Sequence, residues 1–239
     1  MMTKFAYFRT RREAYSRRKG KTDTGLIKLA NRHDIWKNDY KHNADGTYQR
    51  DDNGDRIPTP MAEREPKPVV YYLSTHFPED LMPSVEQMEK DYDKAFKEAV
   101  AAAKYGSMDI SKVETQMFYI CENPVPENAP EACDPRTGSD RFDSDGNYKP
   151  YRVREGDVRR NFVYWVQEPQ PAGPLGFGPS YKDPVTGEIV SGVAHVYGGG
   201  VDRYAGRAID IVKLLNGDLQ REDILQGTDV EDYVLDNLN

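Results

Sequence analysis

Residues 156–166, GDVRRNFVYWV, and residues 173–200, GPLGFGPSYKDPVTGEIVSGVAHVYGGG, decide how this chain reads. In the first, Asn161–Val166 is a run of aromatic and β-branched residues with no breaker, which predicts a strand. In the second, Gly187–Tyr197 predicts another strand, entered through a long exposed loop and left through the glycine turn Gly198–Gly200. Pro179 fixes an extended loop around Ser180.

Working outward, KPVVYYLS at 67–74 predicts a buried strand and Thr115–Cys121 a second alternating one. Between them Ser84 and Gln87 have capping-box spacing. Val85, Met88, Tyr92, Phe96, Ala99, Val100 and Ala103 then recur at helical spacing until Gly106 supplies a left-handed stop. After the glycine turn a helix capped at Asp202 is expected, with Tyr204, Ala208, Ile211, Val212 and Leu215 on one face and Gly217 ending it. Thr228 and Glu231 spell another capping box, with Val230, Val234 and Leu238 behind it, so more polypeptide is expected past Asn239. Residues 1–68 lack apolar periodicity and carry hairpin-like turns at Asp45-Gly46 and Asn53-Gly54. The predicted fold is α+β: a twisted mixed sheet of about four to five strands with a long helix packed on one face. The expected organisation is an irregular, partly stranded extension over 1–66, one domain over 67–217 and a helical tail over 218–239.

The 239 residues are 37% hydrophobic and 31% charged, with a mean hydropathy of −0.83, so a modest core and much loop are expected. A formal net charge of −7 opposes bulk attraction to nucleic acid or anionic lipid. The N-terminal cluster Arg9, Arg11, Arg12, Arg17, Arg18, Lys19 and Lys21, interleaved with Phe5, Tyr7, Phe8 and Tyr15, has the composition of a phosphate grip with stacking rings. The ordinary reading is a strand whose arginines pair with an acidic surface elsewhere, and no nucleic-acid partner is expected. No run of about 18 apolar residues is available to span a membrane. The first residues are basic but lack an apolar signal core. Cys121 and Cys133 enclose CENPVPENAPEAC. They suit a disulfide, the alternative being two free thiols in a reducing compartment.

Catalytic chemistry is sparse. The histidines are His33, His42, His76 and His195. None has another His four residues on, so no HExxH zinc site and no other metal-ligand set is written here. Ser180 in GFGPSYKD lacks the G-x-S-x-G elbow, and no catalytic residue is assigned. Asp143, Asp145 and Gly146 match part of a calcium loop, but Arg141 stands at the first carboxylate position. A solvated acidic loop is the ordinary reading and a weak calcium site the other. The glycines at 198–200 precede a helix but lack the Lys-Ser or Lys-Thr of a phosphate loop.

The order strand, capped helix, strand, strand, strand resembles the N-terminal subdomain of metzincin zinc proteases. The phrases GDVRRNFVYWV and FGPSYKDPVTGEIVSG are similar to those of large secreted or lipid-anchored bacterial zinc metalloproteases. The resemblance covers about residues 67–215 in element order, and its phrases lie within 156–200. It implies an extracellular or cell-envelope protein, with a cytoplasmic one as the alternative. It also implies that the strand after the DP-x-TGE turn is a sheet edge above a cleft, pairing with an extended peptide or protein substrate; the residues themselves equally allow an internal strand with both edges covered. In this sequence that role falls on Ile189, Val190, Ser191, Gly192, Val193, Ala194, His195 and Val196. Zinc belongs to the complete family enzyme; here its helix is expected in a C-terminal catalytic half beyond residue 239. The chain then reads as the non-catalytic N-terminal portion of a metalloendopeptidase, or alternatively as a stand-alone peptide-binding scaffold.

Overall fold

In a computed structural model of the chain, residues 8–16, 18, 20–168 and 174–226 are described. The helix expected around Thr228–Leu238 lies outside them, as do Phe5, Tyr7, Arg17 and Lys19. The chain forms two compact units. One comprises the residues up to Trp165 together with Gly178–Ala194; the other comprises Val166–Phe177 and the chain from His195 onward.

The first unit begins with a two-stranded antiparallel ribbon, β1 (Arg9–Ser16) and β2 (Gly20–Ala30). Residues 39–59 then fold into three short segments that repeat every eight residues. Gln49 N–H donates to Lys41 C=O, Ile57 N–H to Gln49 C=O and Lys41 N–H to Ile57 C=O, at 2.9, 3.0 and 2.9 Å. Each segment therefore bonds to both others, and the triangle closes. Tyr40, Tyr48 and Arg56 hold the same place in successive octads, and the guanidinium lies 4.1 Å from the Tyr48 ring centroid and 5.6 Å from that of Tyr40. The predicted turns are both present: Gly46 and Gly54 take φ of 82° and 84°, which a side chain would resist.

Next come β3 (Val69–Leu73), α1 (Met82–Tyr105), β4 (Phe118–Cys121) and β5 (Asn161–Val166). Strand β3 is paired in parallel with β4 on one side and β5 on the other. Its alternating side chains divide between two cores. Tyr72 joins Cys121, Val125, Cys133, Val153 and Phe162 on one face. On the other, Tyr71 meets Phe118, which stacks on Phe96 and Tyr92 of α1. The α1 stripe runs on into Val100 and Ala101, packed with Val113 and Met117. Tyr92, on that same stripe, is nevertheless 52% exposed.

The helix stops where expected, with Gly106 at φ 65°. It does not start there. The Ser84–Gln87 capping box is absent because the helix already runs from Met82 with Pro83 in its first turn, and Gln87 bonds to Asp91 instead.

The sheet is mixed and six-stranded, in the order β4-β3-β5-β8-β6 with β7 also on β8, where β6 is Gly176–Phe177, β7 Ser180–Lys182 and β8 Ile189–Tyr197. This is the predicted α+β class, with short strands where Gly- and Pro-rich sequence predicted loop.

In the second unit the last residues of β8 pair with β6, Gly176 opposite Val196 and Phe177 opposite His195. Helix α2 (Gly198–Asn216) and α3 (Arg221–Gln226) follow. The expected glycine turn is the first turn of α2 itself, so Asp202 is not its cap; the left-handed end at Gly217 is as expected.

Candidate functional site

The residues assigned to substrate, Ile189–Val196, are all in β8. The expectation that this strand is an edge is corrected: β5 lies on one side and β7 and β6 on the other. Its centre is set by Gly192, whose N–H donates to Asn161 Oδ1 at 2.6 Å. A Cβ there would overlap Tyr71 Oη, so glycine is the residue that lets strand and ring share the space. Burial pushes the Tyr71 hydroxyl up to about 12, and it stays a neutral dipole beneath the strand. His33 Nε2 lies 3.4 Å from that oxygen, and burial lowers the imidazole pKa. Ser191 is likewise engaged within the fold, its Oγ donating to Arg160 C=O at 2.6 Å.

The edge lies one strand further out. Val193 N–H donates to Pro179 C=O at 2.9 Å, and Ser180 faces Gly192 in the next register position. Alternation of the antiparallel ladder turns the Ser180 N–H and C=O away from β8. No described residue bonds to these outer groups. Beside them Tyr181 is 59% exposed, with Lys182 exposed next to it. Sequence reasoning passed over this strand because Gly178 and Pro179 weaken a strand prediction; both are admissible at an edge.

The opposite edge is built differently. Among the outward groups of β4 are the Phe118 C=O and the Ile120 N–H. Gln116 Nε2 donates to the first at 2.9 Å, and Glu89 Oε2 accepts from the second at 2.7 Å. Gln116 also donates to Glu89 Oε1 at 2.9 Å, and Asp93 accepts from Met117 N–H at 2.5 Å. Two carboxylates from α1 thus close the rim of β4. This arrangement had a sequence signal in Glu89 and Asp93, four residues apart and on one helix face.

Cys121 and Cys133 form a disulfide with Cα atoms 5.7 Å apart. Beside it Asp134, its side chain 1% exposed, is bracketed by Arg136 at 2.8 Å and Arg141 at 3.3 Å. Hydrogen bonding to Arg136 is the main cause holding the Asp134 carboxyl down to about 2.

Among the described residues no group of three or more His, Cys, Asp or Glu gathers in a way that could hold a metal ion. In the calcium-like loop, Asp143 Oδ1 accepts from the N–H of Asp145 and of Asn147, both at 2.9 Å. Those bonds, the Asn147 one foremost, lower its pKa. The carboxylate shapes a turn. His42 packs on Tyr48, His76 is exposed and His195 sits in the β8 ladder, so the four histidines do not converge.

No protein-family model, curated protein or solved structure matches this chain.

Proposed function

We propose that this chain holds an extended peptide along β7, as the non-catalytic, substrate-presenting portion of a zinc-dependent metalloendopeptidase. One observation carries the peptide reading: of the two rims of the sheet, α1 covers that of β4, and at the rim of β7, beside an exposed aromatic, no described residue bonds to the outward backbone groups of Ser180. Adding a strand there gives affinity through main-chain hydrogen bonds and selectivity through alternate side chains. The phrases GDVRRNFVYWV and FGPSYKDPVTGEIVSG support the metalloendopeptidase part. The second phrase supplies β7, the turn and the start of β8, with the edge role moved from Ile189–Val196 to the strand before the turn.

The test is binding of a fluorescent, unstructured peptide followed by anisotropy. Ser180→Pro removes the outward N–H and leaves the bonds to β8 in place. It weakens the peptide about tenfold, the value of one good hydrogen bond. Unchanged affinity would move the site elsewhere. Incubation with unfolded protein and zinc yields binding without cleavage; hydrolysis by this chain alone would overturn the non-catalytic role.

A further inference from the structure

The β1–β2 ribbon presents one face to the body of its unit and the other to solvent. Arg12 and Thr10 share one face with Ile27 and Leu29; Arg9, Arg11 and Glu13 share the other with Ala30, Lys28 and Leu26. The first face lies toward the body. Thr10 is 8% exposed and its Oγ1 donates to Asn31 Oδ1 at 2.8 Å. A Cβ at Gly187 would meet Leu29 Cβ at 3.0 Å, and the Arg12 charge is felt at Asp183.

The second face is turned to solvent, and there Arg11 stands directly across from Lys28, both exposed. Like charges in that relation destabilise a ribbon, and among the described residues neither has a carboxylate partner. Residues 9–30 carry eight Lys and Arg against two Asp and Glu, in a chain whose formal net charge is −7. The cations are therefore concentrated in this stretch of the sequence, and the remainder of the chain is strongly acidic. On the same face as Lys28, Leu26 is 49% exposed.

We infer that the outer face of the β1–β2 ribbon docks on a bilayer surface bearing anionic headgroups. Arg9, Arg11 and Lys28 meet the phosphates, and Leu26 enters the boundary between headgroups and acyl chains. Charge complementarity selects a polyanion, and the exposed Leu26 among the cations selects the bilayer among polyanions. Duplex nucleic acid presents phosphate without an apolar layer behind it. The Cys121–Cys133 bridge suits an oxidising compartment, where membrane surfaces are the abundant polyanion. Repulsion between the acidic body and the same surface holds the rest of the molecule off it, so the ribbon is the only element engaged.

The experiment is cosedimentation of the full chain with phosphatidylcholine vesicles, with and without phosphatidylglycerol, at low and high salt. Binding is expected only to the anionic vesicles and falls as salt rises. Arg11→Gln with Lys28→Gln lowers the partition coefficient about 25-fold, roughly fivefold for each cation removed. The same pair of substitutions leaves the thermal midpoint unchanged or raises it, because it relieves the cross-strand repulsion. Opposite signs in the two readouts separate docking from a loss of fold. Equal partition onto neutral and anionic vesicles, no binding to either, or an unchanged coefficient in the variant overturns the proposal. So does release from the vesicles by duplex DNA at matched phosphate concentration, which would name nucleic acid as the partner.

Discussion

The two rims of the central sheet solve one problem in opposite ways. At β4 the outward Phe118 C=O and Ile120 N–H are taken by Gln116 and by Glu89 of α1; at β7 no described residue bonds to the outward groups of Ser180. An exposed strand rim invites pairing with foreign chains, and proteins usually cover it or place charge along it. This molecule spends its own helix on one rim and leaves the other open, flanked by Tyr181 and Lys182. Under the function proposed above the difference separates stability from recognition: changes at the β4 side should cost folding energy, and changes at the β7 side should cost binding.

The strongest way to test that separation is to cut the tether at the β4 side. Replacing both cysteines by serine removes a closed loop next to the end of β4 and is expected to cost about 3 kcal/mol in denaturant unfolding. Peptide affinity at β7, measured under native conditions, stays as it was.

Opening the closed rim comes next. Asp93→Ala leaves the N–H of Met117, a fully buried residue, without an acceptor, at a cost of about 2 kcal/mol. Combined with Glu89→Ala it makes a second open rim, and sedimentation velocity should show concentration-dependent association.

Gly192→Ala tests the middle of the sheet, where a methyl would overlap the Tyr71 hydroxyl. The expected loss is about 1–2 kcal/mol. Tyr71→Phe in the same chain recovers much of it, because the overlapping oxygen is gone.

The smallest effect is acid sensitivity at Asp134. Its folded pKa is depressed, so its stabilisation is complete above the ordinary aspartate value of about 4 and is lost as pH falls through about 2. About 1 kcal/mol, after allowance for solvent screening, should disappear over that interval in wild type. Asp134→Asn should flatten the profile.

Local chemistry made part of this architecture readable in advance. Val69–Leu73, Phe118–Cys121 and Asn161–Val166 announce themselves because buried central strands need continuous apolar runs, and α1 because one face must meet them. Cys121 and Cys133 were visible as a pair for the same local reason. The edge was not. Assigning β8 to the rim followed from resemblance, and Gly176, Gly178 and Pro179 hid the short outer strands by carrying the residue types that strand propensity penalises. The closing of β4 by Glu89 and Asp93 depends on contacts 31 and 24 residues apart in sequence, which no local window contains. The turns at Asp45-Gly46 and Asn53-Gly54 were legible, but the cyclic bonding of the three segments around them is a tertiary fact.

That triangle has a further consequence. Proteolytic enzymes draw a substrate out as a lone strand before cutting it, and the segment over 39–59 offers none, since pulling on any one of its three members breaks bonds to both others. The closed bonding thereby denies a cleaving enzyme a free strand in a polar stretch whose composition is what a digestible linker would have.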